Sequence, residues 1–285
     1  MSIDVLQNRI RKFKNPSALI LAPVYDFLPE GYDKTASGVG DYCEELLDAL
    51  KDIVPAIRVD FASFALLGGD GSGQLHRVMH RAKELGYYVI LDWMMLEKPG
   101  AAADRATQLL TGDTFACDGL TLCPYAGTDC IKPYVQAAAQ GKKDLFVAIK
   151  TANKSGRELQ DLQTGGRLVH MAAADYLSPW TESAIERCGY SRVSAMVGAN
   201  SATMLRTIRK KYPNLFLLVD GLDVSGANAR NASCGFDSLG HGALCCAGSS
   251  IMGAWKEHPE LSPLEAAVES AERMKRNITR YVTIL

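Results

Sequence analysis

Eight short apolar runs alternate with amphipathic helical stretches along the chain, and nothing else in the sequence restricts the fold as tightly. The runs lie at 18–24, 53–59, 87–93, 119–123, 145–150, 193–197, 215–219 and 243–247. In the third, Tyr87, Tyr88, Val89, Ile90 and Leu91 follow one another without polar alternation, the pattern of a strand covered on both faces. Helical spacing falls between the runs at 38–50, 73–85, 101–110, 129–139, 168–187, 201–211 and 227–232, with a closing helix at 263–275. Eight strand-to-helix repeats in 285 residues predict an α/β chain folded as a parallel (β/α)8 TIM barrel rather than an open doubly wound sheet. An open sheet usually carries a G-x-G-x-x-G phosphate loop after its first strand, and Val24-Tyr25-Asp26-Phe27 has none. Residues 1–16 add an N-terminal helix, with Ile3, Val5, Leu6, Ile10 and Phe13 at amphipathic spacing before Pro16. Residues 1–285 are expected to form a single barrel domain.

The charge balance narrows the choice of partner. With 31 basic and 32 acidic residues the net charge is −1, so no global field draws in nucleic acid or an anionic membrane, and a small molecule is the better expectation. No apolar run approaches the roughly 20 residues of a spanning helix, and no apolar signal core follows the N-terminus. A cytoplasmic protein is expected. The eight cysteines are dispersed, several of them in apolar runs, which favours reduced core thiols over a disulfide frame.

In a barrel of this kind the site lies at the C-terminal ends of the strands. Those ends carry Tyr25 and Asp26, Arg58 and Asp60, Asp92 and Glu97, then Pro124 and Tyr125. Lys150, Thr151 and Asn153 follow, then Gly198 and Asn200, Asp220 and Asp223, and Gly248. Around the last two ends, Gly221, Gly226, Gly248, Ser249 and Ser250 could cradle a phosphate, because glycine lets backbone N–H groups approach an anion; the same residues also make plain turns. Asp92 is either a site carboxylate or a cap for the next loop. Lys150 is an anion anchor, a Schiff-base lysine or a solvated strand-end lysine. Asp60, Asp92, Asp220 and Asp223 could converge on a hard cation only if all point inward. His76 and His80 share a helix face without a third ligand. Neither a metal nor a cofactor is expected.

Seven segments carry a family resemblance: RVDFASFALLGGDG, LGYYVILDW, CDGLTLCPYAGTDCI, IKTANKSGRELQDL, SAMVGAN, LLVDGLDVSGANA and GHGALCCAGSSIMG. In their order and spacing the chain resembles the orotidine 5′-phosphate decarboxylases, in their longer bacterial form, over nearly its whole length. LTLCPYAG, and ELQDL with its preceding Thr-x-Asn, are the most specific segments. The resemblance implies the barrel, a phosphorylated ligand and a homodimer with sites at the subunit interface. It also implies an alternating Lys-Asp-Lys-Asp set, with one lysine ending the second strand and the rest in an Asp-x-Lys-x-x-Asp motif at the third. The matching positions hold Arg58, Asp92, Met94 and Glu97, so Arg58, Asp92 and Glu97 are the catalytic candidates and Met94 takes the place of a lysine. The family's ribose-contacting Asp falls at about Val24, and its phosphate-binding arginine at Ile251. Pro124, Thr151, Asn153, Gly198, Gly221, Ser249 and Ser250 match as ligand or phosphate positions, with Gly226 beside them.

Decarboxylation of this type leaves a vinyl carbanion, which requires a fixed cation and a proton donor, and a thioether is neither. The expectation is a divergent barrel that binds a phosphorylated small molecule or nucleotide with decarboxylation impaired or lost. One alternative is an active decarboxylase of pyrimidine biosynthesis in which Lys98, Lys150 or Lys154 enters the site and Arg230 or Lys256 meets the phosphate. A second is a non-catalytic binding or structural barrel, and a related lyase or isomerase on the same scaffold is a third.

Overall fold

A computed structural model describes residues 2–112, 115–224 and 226–285. Eight parallel strands close into a barrel: β1 Ser17–Leu21, β2 Ala56–Asp60, β3 Tyr88–Asp92, β4 Gly119–Leu122, β5 Asp144–Lys150, β6 Val193–Gly198, β7 Leu217–Asp220 and β8 Ala243–Ala247. Each strand pairs with its neighbours in sequence, and β1 pairs with β8 to complete the ring. β3, β4, β5, β6 and β8 are buried along their whole length, because helices cover the outside and side chains fill the inside. This is the (β/α)8 barrel that the eight apolar runs predict.

The runs and the strands differ at their edges. The run at 53–59 begins before its strand because Ile53 and Val54 donate their N–H groups to Leu50 O, which closes the preceding helix instead of opening the sheet. Two elements follow from Gly165 and Gly166, both at positive φ. They turn a short hairpin that pairs Gln163–Thr164 with Arg167–Leu168. The helix expected at 168–187 accordingly runs Val169–Ser183.

The N-terminal helix Ile3–Phe13 seals the floor of the barrel. Ile3, Leu6 and Ile10 are fully buried. Gln7 Oε1 accepts from Gly242 N–H at 3.1 Å just before β8, and Arg9 Nε donates to Pro55 O at 2.9 Å just before β2. Asp4 Oδ1 accepts from Cys188 N–H at 2.8 Å ahead of β6. With the floor closed, the open end is the one formed by the C-terminal strand ends. There the register sets Asp60 beside Asp92, Asp92 beside Thr121, and Gly198 beside Asp220. Among the described residues no helix is long and apolar enough to cross a membrane.

Candidate functional site

Arg58, near the end of β2, bridges the barrel mouth. Its Nη2 and Nε both donate to Asp92 Oδ2, at 2.5 and 3.0 Å, and its Nη1 donates to Asp220 Oδ1 at 2.5 Å. Asp92 and Asp220 end β3 and β7, so one guanidinium joins strand ends that are not neighbours in the sheet. The second Asp92 oxygen accepts from the Thr121 hydroxyl on β4, and Thr121 Oγ1 accepts from Trp93 N–H at 3.0 Å. Burial works to lower the Arg58 pKa, but Asp220 and Asp92 more than reverse it and hold the value above the ordinary one. Beneath this cluster Cys246 is a neutral thiol, its pKa driven well above the usual range chiefly by burial.

The chemistry available here is asymmetric. Two carboxylates face one cation, so the cluster carries a net negative charge. The cation is a guanidinium, which stays protonated in proteins and therefore orients and stabilises charge without handing over a proton. Sequence position alone places Asp220 among the strand-end acids. Its pairing with Arg58, and the contribution of Thr121, depend on inward orientation and barrel closure.

The loop after β3 separates the remaining catalytic candidate, Glu97, from this cluster. Met94 and Met95 are 38% and 39% exposed. Glu97 is buried, and both of its oxygens are engaged away from Arg58: Trp93 Nε1 and Arg105 Nη1 donate to Oε1 at 2.9 and 3.0 Å, and the Tyr134 hydroxyl donates to Oε2 at 2.7 Å. The fold thus brings Arg58 and Asp92 together and commits Glu97 to the packing of its own loop against helix Thr128–Gly141.

At the last two strand ends, two of the residues expected to cradle a phosphate, Gly248 and Ser250, bond to a carboxylate of the protein itself. Gly248 N–H donates to Asp223 Oδ2 and the Ser250 hydroxyl to Asp223 Oδ1, both at 2.5 Å. Ser249 is exposed, and Ile251 is turned into the core at 1% exposure. Gly198 and Gly221 share one physical reason for being glycine, since a Cβ at either would meet Ala152 at 2.6 and 2.5 Å. Gly226 has φ +89 with open space around it and serves the turn. Pro124 opens the short 3-10 turn after β4. Thr151 is tied to Gln160, whose Oε1 accepts from Thr151 N–H at 3.0 Å, and Asn153 is exposed beside it.

Other cations proposed to enter the site have partners or positions elsewhere. Lys150 is buried on Asp161, with His170 Nδ1 3.1 Å from the same carboxylate oxygen. Lys98 is exposed on its loop, and Lys154 is exposed at the start of the 3-10 turn Lys154–Gly156. The Lys256 ammonium lies 5.3 Å from the Phe27 ring centroid. The four strand-end aspartates are also divided: Asp60 caps helix Phe61–Ala65 through Ser63, Asp223 is held by Gly248 and Ser250, and Asp92 and Asp220 share Arg58.

Comparison with known proteins places these features in context. No family model matches the chain. It is 32% identical over 207 residues to the orotidine 5′-phosphate decarboxylase of Deinococcus radiodurans, which covers 73% of this chain and 74% of that protein. It is 29% identical over 257 residues to the enzyme of the same name from Rhodopirellula baltica, covering 88% of this chain and 83% of that one. Among solved structures, the OMP decarboxylase of Leishmania donovani superposes with a TM-score of 0.77 at 23% identity, covering 99% of both chains, a likeness of fold.

Proposed function

The chain belongs to the orotidine 5′-phosphate decarboxylase family, and from that premise we propose that it binds a phosphorylated small molecule or nucleotide at the C-terminal strand ends while its decarboxylation is impaired or lost. One observation carries the reading. The cation held between Asp92 and Asp220 is an arginine, and Met94 stands where the family resemblance calls for a lysine. Arg58 and Asp92 would orient a ligand and set the field around it, yet neither supplies the transferable proton that a nascent carbanion needs. Loss of a single positioned donor typically lowers a rate by about 10²- to 10³-fold. Purified protein is expected to release negligible CO2 from orotidine 5′-phosphate, while nucleoside monophosphates raise its melting temperature. Turnover in the common enzymatic range of about 1 to 10³ s⁻¹ would overturn the proposal. Absence of any thermal shift would favour a non-catalytic barrel.

A second reading, an active decarboxylase, draws support from the name shared by the curated relatives, including one aligned over 99% of this chain. It requires a donor such as Lys98, Lys150 or Lys154 to swing into the mouth. Growth of a uracil-requiring, decarboxylase-deficient strain on this gene would favour it. Under either reading we infer a cytoplasmic homodimer.

A further inference from the structure

Behind the β7 and β8 ends lies a cavity of about 580 Å³, between residues 222, 223 and 227–230 on one side and the closing helix Pro263–Thr279 on the other. Three arginines line it. Arg230 enters from the loop side, Arg273 lies on the helix, and Arg280 caps the helix C-terminus seven residues further on. Asn228 and Asn277 add amide donors. Among the described residues no carboxylate pairs with any of the three guanidiniums; Arg273 Nη2 reaches Ser270 Oγ at 3.5 Å. Arg276 on the same helix, by contrast, is paired with Glu269 at 2.7 Å. Among the described residues Asp223 is the one carboxylate lining the cavity, and Gly248 and Ser250 already occupy its oxygens.

Three like charges around one cavity repel one another, and their planar forks match phosphate oxygens bidentately. The nearby cradle of Gly248 N–H and the Ser250 hydroxyl is closed to an external anion while Asp223 sits on it. The buried Ile251 offers no charge in its place. We propose that this cavity is the anion pocket of the molecule, with Arg230, Arg273 and Arg280 holding a phosphoryl or pyrophosphoryl group. The identity of the remainder of the ligand rests on the function proposed above; the pocket does not.

The two are separable by titrating the full chain at low salt with inorganic pyrophosphate, following heat. Arg230→Gln and Arg280→Gln, both at exposed positions, are each expected to raise Kd about ten-fold or more, as loss of a charge-assisted bond requires. Arg273→Lys keeps the charge but loses the fork, and should weaken binding less. Arg276→Gln, whose guanidinium is already paired, should leave Kd unchanged. Pyrophosphate that fails to bind the wild-type chain, or binds it and the Arg230 and Arg280 variants equally, overturns the proposal. So does an equal loss in Arg276→Gln, which would reduce the effect to general charge. If pyrophosphate binds as expected and nucleoside monophosphates neither compete nor raise the melting temperature, the pocket stands and the nucleotide reading falls.

Discussion

Under the proposed function, Met94 and Arg58 are the two residues on which the chemistry of the mouth turns. Arg58 fixes a charge between Asp92 and Asp220. Met94 lies in the loop after β3 and is partly exposed. Met94→Lys is therefore expected to raise CO2 release from orotidine 5′-phosphate by about 10²-fold or more over the wild-type chain, the effect typical of one positioned donor. No rise over the wild-type chain would implicate Val24 and Ile251 as well. A different residue controls pH dependence. Asp144 opens β5 in complete burial, and its pKa is pushed up to about 7, mainly by desolvation, against the hydrogen bond donated by Tyr88 and the charge of Arg192. Because the folded value lies above the ordinary 3.8, the protonated form favours the fold: this stability is fully present below about pH 4 and is lost as pH rises through 7. Asp144→Asn should remove that dependence. Melting temperatures at pH 5 and pH 8 check it, with the variant gaining most over wild type at pH 8.

The segments after the strands show why position along the chain is an incomplete guide to a site. Glu97 occupies a catalytic position by family resemblance, yet its oxygens bond to Trp93 in its own loop, Arg105 on helix Pro99–Leu110 and Tyr134 on helix Thr128–Gly141. A buried carboxylate with three donors acts as a bolt between these pieces, and removing it leaves Trp93 and Tyr134 as unsatisfied buried donors at about 1–3 kcal/mol each. Glu97→Ala should lower the urea midpoint substantially while leaving pyrophosphate affinity at the arginine pocket unchanged. An unaltered midpoint would return Glu97 to the mouth. The eight strands were legible because an unbroken apolar run has few alternatives to a buried strand. The direction of Glu97 was not, since its three donors come from separate elements. The Gly165-Gly166 hairpin did leave a local signal, two adjacent glycines suited to a tight turn.

Taken as a whole, the barrel has one closed and one open end. The N-terminal helix seals the floor, and at the opposite end Leu96, Tyr125 and Leu162 are 64%, 73% and 53% exposed. Exposed large apolar groups on the loops of one end are where association would be sought under the proposed homodimer, with a second copy of the chain as the partner. Sedimentation should give twice the monomer mass. Leu96→Asp, on an exposed loop position, should shift the equilibrium toward monomer without lowering the melting temperature of the dilute protein; a monomeric wild type would refute the homodimer.

The amino-acid order determined the barrel, because hydrophobic periodicity is written locally in each run and eight repeats have few ways to bury themselves. It also carried the kinship, since that is a matter of residue identity at matched positions. Partnership was decided in three dimensions. Arg58 meets Asp220 across 162 residues, Asp223 fills the Gly248 and Ser250 cradle, and Arg230 faces Arg273 and Arg280 across a cavity. A charge on a strand end is visible in sequence, but the charge it answers depends on barrel closure and side-chain direction, which arise only when distant segments pack together.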